Sequence, residues 1–171
     1  MATIVKATTK DAELLAYIGK TSFIESHGSS ASEETITEYV DLKFIKKVFE
    51  DELKEPKNIY NIIYHGEKAV GYSKIIFNVS NSNVPFQNVT KLERFYVLHE
   101  FHDLKLGLEL FNFNIQESKK NNQAGVWLFT WTENKKAINF YTKAGFKIIG
   151  NYDFKITDTH YNPNYQMLLT Y

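Results

Sequence analysis

The chain has 171 residues, 43% apolar and 15% aromatic, which suffices for one packed domain and is too few for two of ordinary size. Twenty Lys and Arg balance twenty Asp and Glu, so a general nucleic-acid binder, which carries a basic excess, is not expected. There is no cysteine, hence no disulfide scaffold, thiolate metal site or cysteine nucleophile, and no apolar run has the length of a membrane span or a secretory leader, so a cytoplasmic protein without a membrane partner is expected.

Thr3 to Ala7 reads as a short strand. Thr8 or Thr9 then caps a helix running to about Ser26, with Leu14, Leu15, Ile18 and Phe23 on its buried side. His27, Gly28 and Ser29 break it. Ser30 and Glu33 have capping-box spacing, and the helix they open reaches about Glu52 with Ile36, Tyr39, Val40, Phe44, Val48 and Leu53 along one side. Asn58 to Tyr64 and Lys68 to Phe77 are strands around a turn at His65-Gly66-Glu67. Asn78 to Asn88 is a polar loop.

Four elements then follow one another. Leu92 to Leu98 is a strand, His102 to Gly107 a polar turn, and Leu108 to Lys119 a helix with Leu104, Leu108, Phe111 and Ile115 on one stripe. Val126 to Trp131 is a second strand and Asn134 to Ala144 a second helix that stops at Gly145. This order implies two neighbouring parallel strands joined by a right-handed crossover. It also puts a helix N-terminus, with unpaired N–H groups suited to a phosphate, at the carboxyl end of the first strand. Strands at about Lys147 to Ile156 and Tyr165 to Thr170 close the chain, with Thr157 to Asn164 as a long turn. The whole reads as α+β, a mixed sheet with helices on both faces. The five histidines share no metal-like spacing, so no metal is expected.

LERFYV at 92–97, HDLKLG at 102–107 and VWLFTWTENKKAINFYTKAGF at 126–146 together resemble the GNAT superfamily of N-acetyltransferases, which use acetyl-CoA. The last piece is the most specific: an Asn after a Trp-rich strand, then Ala-x-x-Phe-Tyr-x-x-x-Gly-Phe. KTSFIESHG at 20–28, the acidic helix after it and EKAVGYSKI at 67–75 look like the branch that acetylates polyamines.

The resemblance implies the GNAT fold, with about seven strands in its mixed sheet. It implies acetyl-CoA as co-substrate and a small-molecule amine as acceptor, spermidine being the first choice, reached by direct transfer in a ternary complex. Another acceptor (an amino sugar, an amino acid or a protein N-terminus) and a non-catalytic acetyl-CoA-binding module are the alternatives, and a homodimer is admitted. The backbone of Phe95, Tyr96 and Val97, parted from the parallel neighbour, would hold the pantetheine arm and polarise the thioester carbonyl. His102, Asp103, Leu104, Lys105, Leu106 and Gly107 would hold the pyrophosphate. His102 replaces the family's leading Gln or Arg and Lys105 its middle glycine. With a negative φ, Lys105 would point outward and pair with a phosphate.

Tyr141 falls where the family places the acid that protonates the departing thiolate, a task for which a phenol of pKa ~10 is suited. Pattern alone reads it as core, since Ala137, Ile138, Tyr141 and Ala144 share helical spacing. Asn134 matches a cofactor-binding position and reads equally as an N-cap. Glu93 is the candidate base, or else an ion-pair partner of Arg94. Glu25 and Tyr39 are placed at the acceptor. Glu33, Glu34, Glu38 and Asp41 are further carboxylates that would attract a polycation, Glu33, Glu34 and Glu38 reading rather as a solvated helix face, and Tyr39 and Tyr72 read as ammonium-facing aromatics or core.

Overall fold

A computed structural model describes all of residues 1–171. Its strands are β1 (Ala2–Lys6), β2 (Ile59–His65), β3 (Lys68–Ile76), β4 (Thr90–Val97), β5 (Gly125–Trp131), β6 (Lys147–Thr157) and β7 (His160–Thr170). They form one mixed sheet in the order β1-β2-β3-β4-β5-β7-β6, in which β4 and β5 are the parallel pair. The helices are α1 (Ala12–His27), α2 (Glu33–Lys43), α3 (Lys46–Lys54), α4 (Leu106–Lys120) and α5 (Lys135–Lys143).

Strand alternation divides the core in two. Tyr60, Ile62 and Tyr72 face α1, α2 and α3, packing with Leu15, Ile18, Phe23, Phe44 and Phe49. On the other face Ile63 and Val70 meet Leu106 and Leu110 of α4, and Ile75 and Leu92 share a cluster with Phe111 and with Tyr141 of α5. A buried polar clamp fixes α4 to this side: the Asn114 Oδ1 accepts from Asn61 (3.1 Å) and from the Ser73 hydroxyl (3.0 Å). No helix is long and apolar enough to cross a membrane.

Three sequence expectations are corrected. The single helix expected from residue 30 to 52 is two helices, α2 capped by Ser32 rather than Ser30, with Phe44 and Ile45 non-helical between α2 and α3. The break drops Phe44 (4% exposed) into the aromatic cluster. That burial is worth about 2–3 kcal/mol. It outweighs the interrupted helix hydrogen bonds, whose donors lie at the surface and are worth about 1 kcal/mol each. The stripe expected to include Leu104 and Leu108 is rotated: both are exposed, and Leu106 and Leu110 are the buried pair, because the helix begins at Leu106. The long turn at 157–164 is mostly strand, with β6 and β7 pairing down to Thr157↔His160. Pro163, which has no N–H to donate, is accommodated there opposite Asp153, its carbonyl accepting from the Thr132 N–H.

Candidate active site

β4 and β5 pair only at Thr90↔Val126 and Lys91↔Trp127. Beyond them β4 runs on to Val97 with no partner on that side. A bulge explains the parting. Across β3, Lys74 faces Arg94 and Ile75 faces Leu92, so Glu93 is the extra residue. A bulge sharpens the local twist and bends its strand, here at the point where β4 leaves β5. The strands therefore separate from residue 92 onward, earlier than the Phe95-to-Val97 stretch expected from sequence.

The gap opens into a cavity of about 1390 Å³. One end is the start of α4. A 3-10 turn, His99–Leu104, leads to Lys105, which takes a left-handed conformation (φ 59, ψ 14) and not the expected negative φ. No side chain caps this end. The N–H groups of Leu106, Gly107 and Leu108 therefore lack intrahelical partners, and the αL residue before them extends the concave run of amides that suits an anion. A Cβ built on Gly107 would meet only Val97, at 3.9 Å, so the space over the loop is open. This is a cradle into which a pyrophosphate fits.

Within the loop the side chains diverge. His102, Lys105 and Gly107 line the cavity; Asp103 and Leu104 are exposed and outside its lining, and Leu106 is buried beneath α4. Of those three, only Leu106 has its N–H in the uncapped first turn of α4. Left-handed backbone costs a non-glycine residue about 1–2 kcal/mol. Lys105→Gly is therefore expected to raise the stability measured by urea unfolding by up to about 1 kcal/mol, the added chain entropy of glycine taking back part of the gain.

His102 ties the loop to β4. Its Nε2–H donates to the Val97 carbonyl (2.7 Å), and its Nδ1 accepts from the Lys136 ammonium (2.9 Å). Burial lowers its pKa; the Val97 carbonyl acts against this, and Lys136 adds to it. Asn134 caps α5, its Oδ1 accepting from the Ala137 N–H (3.2 Å), and it also lines the cavity.

Tyr141 lines the same cavity from α5, packed among Phe95, Phe140 and Phe146 and 7% exposed. The polar side-chain atoms sealed from solvent without a partner belong to Ser22, Ser30, Tyr72, Arg94, Asn162 and Gln166. The Tyr141 hydroxyl is not among them. It opens on the cavity. Burial, with a smaller contribution from Tyr96, holds its pKa well above the ordinary phenol value, so it is a proton donor at any neutral pH.

The residues matched by the model of the acetyltransferase (GNAT) family, 22–146, span the start of this cavity wall in α1 to the Phe146 that packs on Tyr141. The chain belongs to that family. It is an acetyl-CoA-dependent N-acetyltransferase of GNAT type, and its seven-stranded mixed sheet is the GNAT fold. An uncharacterised N-acetyltransferase of Lactobacillus delbrueckii subsp. lactis is 23% identical, over 91% of this chain and 90% of that protein. One of Mycobacterium tuberculosis is 25% identical, over 89% of this chain and 93% of its own length. The crystal structure of the PaiA N-acetyltransferase of Thermoplasma acidophilum in complex with coenzyme A superimposes with a TM-score of 0.80, at 21% identity, over 100% of this chain and 99% of that one.

Glu93 departs from what a general base requires. It is ion-paired with Lys74 and, at 3.2 Å, with Lys91. Burial pushes its pKa up, but the Lys74 hydrogen bond and charge and the Lys91 charge overcome this, and the net result lies below the ordinary carboxylate value. Such a group takes protons poorly near neutrality. Glu25 lines the cavity from α1, and its Oε2 accepts from the His99 N–H (3.0 Å), tying α1 to the turn after β4. Tyr39 lines the cavity and packs on Phe23 at 4.8 Å. Tyr72 is wholly buried, and Glu33, Glu34, Glu38 and Asp41 are on the exposed face of α2.

Sequence reasoning missed two features of this acetyltransferase. One is an ionic floor formed by Glu52, Lys74, Glu93 and Arg94, with Lys74 bridging Glu52 (2.8 Å) and Glu93. The signal was there: a lysine inside the apolar run VGYSKIIF is a buried charge and needs partners. The other is His27. Its ring lies flat on Phe23 (centroids 4.6 Å apart) and against Trp131 (5.3 Å), and its Nδ1 meets the Ser26 hydroxyl at 2.6 Å. Burial pushes its pKa down to about 4. It lay in a helix-breaking triplet, where no local pattern reports an aromatic sandwich.

Proposed function

We infer that the chain moves an acetyl group from acetyl-CoA directly to the nitrogen of a small primary amine, both bound at once in the β4/β5 cavity. The observation that carries this is the gap beside Phe95 to Val97, with an uncapped anion cradle at one end and the Tyr141 phenol on its wall. Residues 1–171 act as one catalytic domain, since α1 near one end of the chain and β6 near the other wall the same cavity.

Acetyl-CoA supplies an activated acetyl group: the amine lone pair forms the N–C bond as the C–S bond breaks, giving an N-acetylamine, the CoA thiol and one proton from the ammonium. The loop from His102 to Gly107 holds the pyrophosphate through its free amides, with the Lys105 ammonium beside it. The backbone of Phe95, Tyr96 and Val97, unpaired toward β5, donates to the pantetheine arm and to the carbonyl oxygen as charge develops there. Tyr141 gives its proton to the departing sulfur and recovers one from the nitrogen. Asn134 holds the start of α5, and thereby Tyr141, in place. The ammonium loses its first proton to water in the open cavity, with Glu93 acting by fixing Lys74 and Lys91. No acyl-enzyme is required, in keeping with the absence of cysteine.

The polyamine expectation rests on sequence resemblance. Against it, eight Lys and Arg but four Glu line the cavity, and that balance repels a polycation. Thiol release from acetyl-CoA with a panel of amines tests the reaction itself. Release with an amine, together with calorimetric binding of CoA, is the expected outcome, and neither release nor binding would remove the reading. For Lys105→Ala we expect CoA binding to weaken by about 3- to 10-fold, the effect of one charge-assisted contact; tighter binding would mean the side chain obstructs the loop.

A further inference from the structure

The face of the cavity toward α1, α2 and α3 carries a charge imbalance. Glu52 and Glu93 are its carboxylates. Lys74 (6% exposed) takes both, Lys91 shares Glu93 at 3.2 Å, and Arg94 reaches Glu52 only at 3.8 Å. Three cations thus meet two carboxylates. The Arg94 guanidinium lies over the rings of Phe44 (5.3 Å) and Phe49 (5.1 Å), its Nη1 is buried without a hydrogen bond, and it lines the cavity. The phenols beside it, Tyr72, Tyr60 and Tyr96, all have pKa values raised by burial and are neutral, so they leave the charge unbalanced. On the rim, Lys43 adds a cation with no ion-pair partner, and Lys155 adds another whose partner, Asp158, is outside the cavity lining. A buried cation that shares its one carboxylate with a closer lysine is incompletely neutralised, which is costly and favours a further anion.

We propose that the acceptor brings that anion: it is a primary amine carrying a carboxylate, which seats against Arg94 while the amine faces the gap between β4 and β5. Arg94 and the cradle at α4 do not compete for one ligand. Alternation along β4 sends Arg94 and Tyr96 toward α1 to α3 and Phe95 toward α4 and α5, so cofactor phosphates and acceptor carboxylate approach from opposite faces of the sheet. Phe23, Tyr39, Phe44 and Phe154 wall the same side, which gives the acceptor an apolar surface between its two charged ends.

This inference rests on the acetyltransferase reading, and its test separates the two. Thiol release is measured with amines matched except for the carboxylate: tryptophan and tryptamine, lysine and cadaverine, arginine and agmatine, with spermidine as the polycation. At least one carboxylate-bearing member is expected to exceed its partner in kcat/KM by 10-fold or more. A decarboxylated member or spermidine working as well as the acids overturns the proposal and leaves the acetyltransferase intact. Absence of both thiol release and CoA binding overturns both. Arg94→Gln leaves two carboxylates facing two lysines, a balanced set, so it is expected to fold. It should abolish the preference between paired amines while CoA affinity stays within 2-fold; a preference kept at 10-fold counts against Arg94. Lys43→Glu, on the exposed rim, is expected to reduce the same ratio by a few-fold without a change in melting temperature, and an unchanged ratio excludes the rim from selection.

Discussion

Tyr141→Phe is expected to lower turnover with the best amine by about 10²- to 10⁴-fold, or about 3–5 kcal/mol of barrier, with CoA affinity within 2-fold of the parent. The substitution is nearly isosteric. The hydroxyl makes no hydrogen bond within the chain and is open to the cavity, so removing it leaves no protein group orphaned. Stability in urea should therefore move by less than about 1 kcal/mol. That separates the chemical role from the packing role, which the ring keeps through Phe95, Phe140 and Phe146. The raised pKa of the phenol adds a second readout. A donor held protonated adds no descending limb to the pH–rate profile up to the ordinary phenol value of about 10. Parent-like turnover in the variant would make Tyr141 a core residue and nothing more.

Much of this arrangement could be read from the chain because it is local. The strand–turn–helix–strand–helix order from residue 90 to 143 follows from period-two and period-3.6 apolar spacing, and its ends moved by only a few residues. The hairpin at Gly66 was marked by its turn residues. What escaped depends on contacts far apart in sequence. The Glu93 bulge is visible only in the register against β3, yet it decides where the strands part. The role of Glu52 is set by Lys74 and Arg94, from β3 and β4. Phe44 broke a helix whose own periodicity continued through it, because the aromatic cluster offered it more than the surface did. Lys105 stands where the resemblance has a glycine, and its φ of 59° is one that favours glycine, contrary to the negative φ expected. The turn into α4 holds it there against a local penalty of about 1–2 kcal/mol.

The second large effect is on stability, and it belongs to His27. The ring is wedged between Phe23 and Trp131, and the Ser26 hydroxyl donates to the Ser22 carbonyl (2.9 Å), which leaves its oxygen to accept from the Nδ1–H. Protonation would put a charge on Nε2 in an aromatic sandwich. The folded-state pKa is therefore about 4, against an unfolded value near 6.5. Because the folded value is depressed, the stabilisation is complete above about pH 6.5 and is lost as pH falls toward 4, while the unfolded chain gains a proton that the folded one refuses. His27 is partly buried and lines the cavity, so the loss is at most about 1.4 kcal/mol per pH unit through this window, or up to about 3 kcal/mol by pH 4. His102, also depressed, adds to the same window; the lowered carboxylates Glu52 and Glu93 act below it. Urea unfolding at pH 7 and pH 5 measures the slope. His27→Phe keeps the stacked ring and removes the titration, so its stability should fall by about 1–2 kcal/mol less than the parent's between those two pH values. An equal fall in the two proteins would mean that the imidazole accepts its proton in the folded state, and that the sandwich opens readily. That result would matter for the site as well, since the ring packs on Trp131 at the end of β5, and a loose sandwich there would free the far wall of the gap.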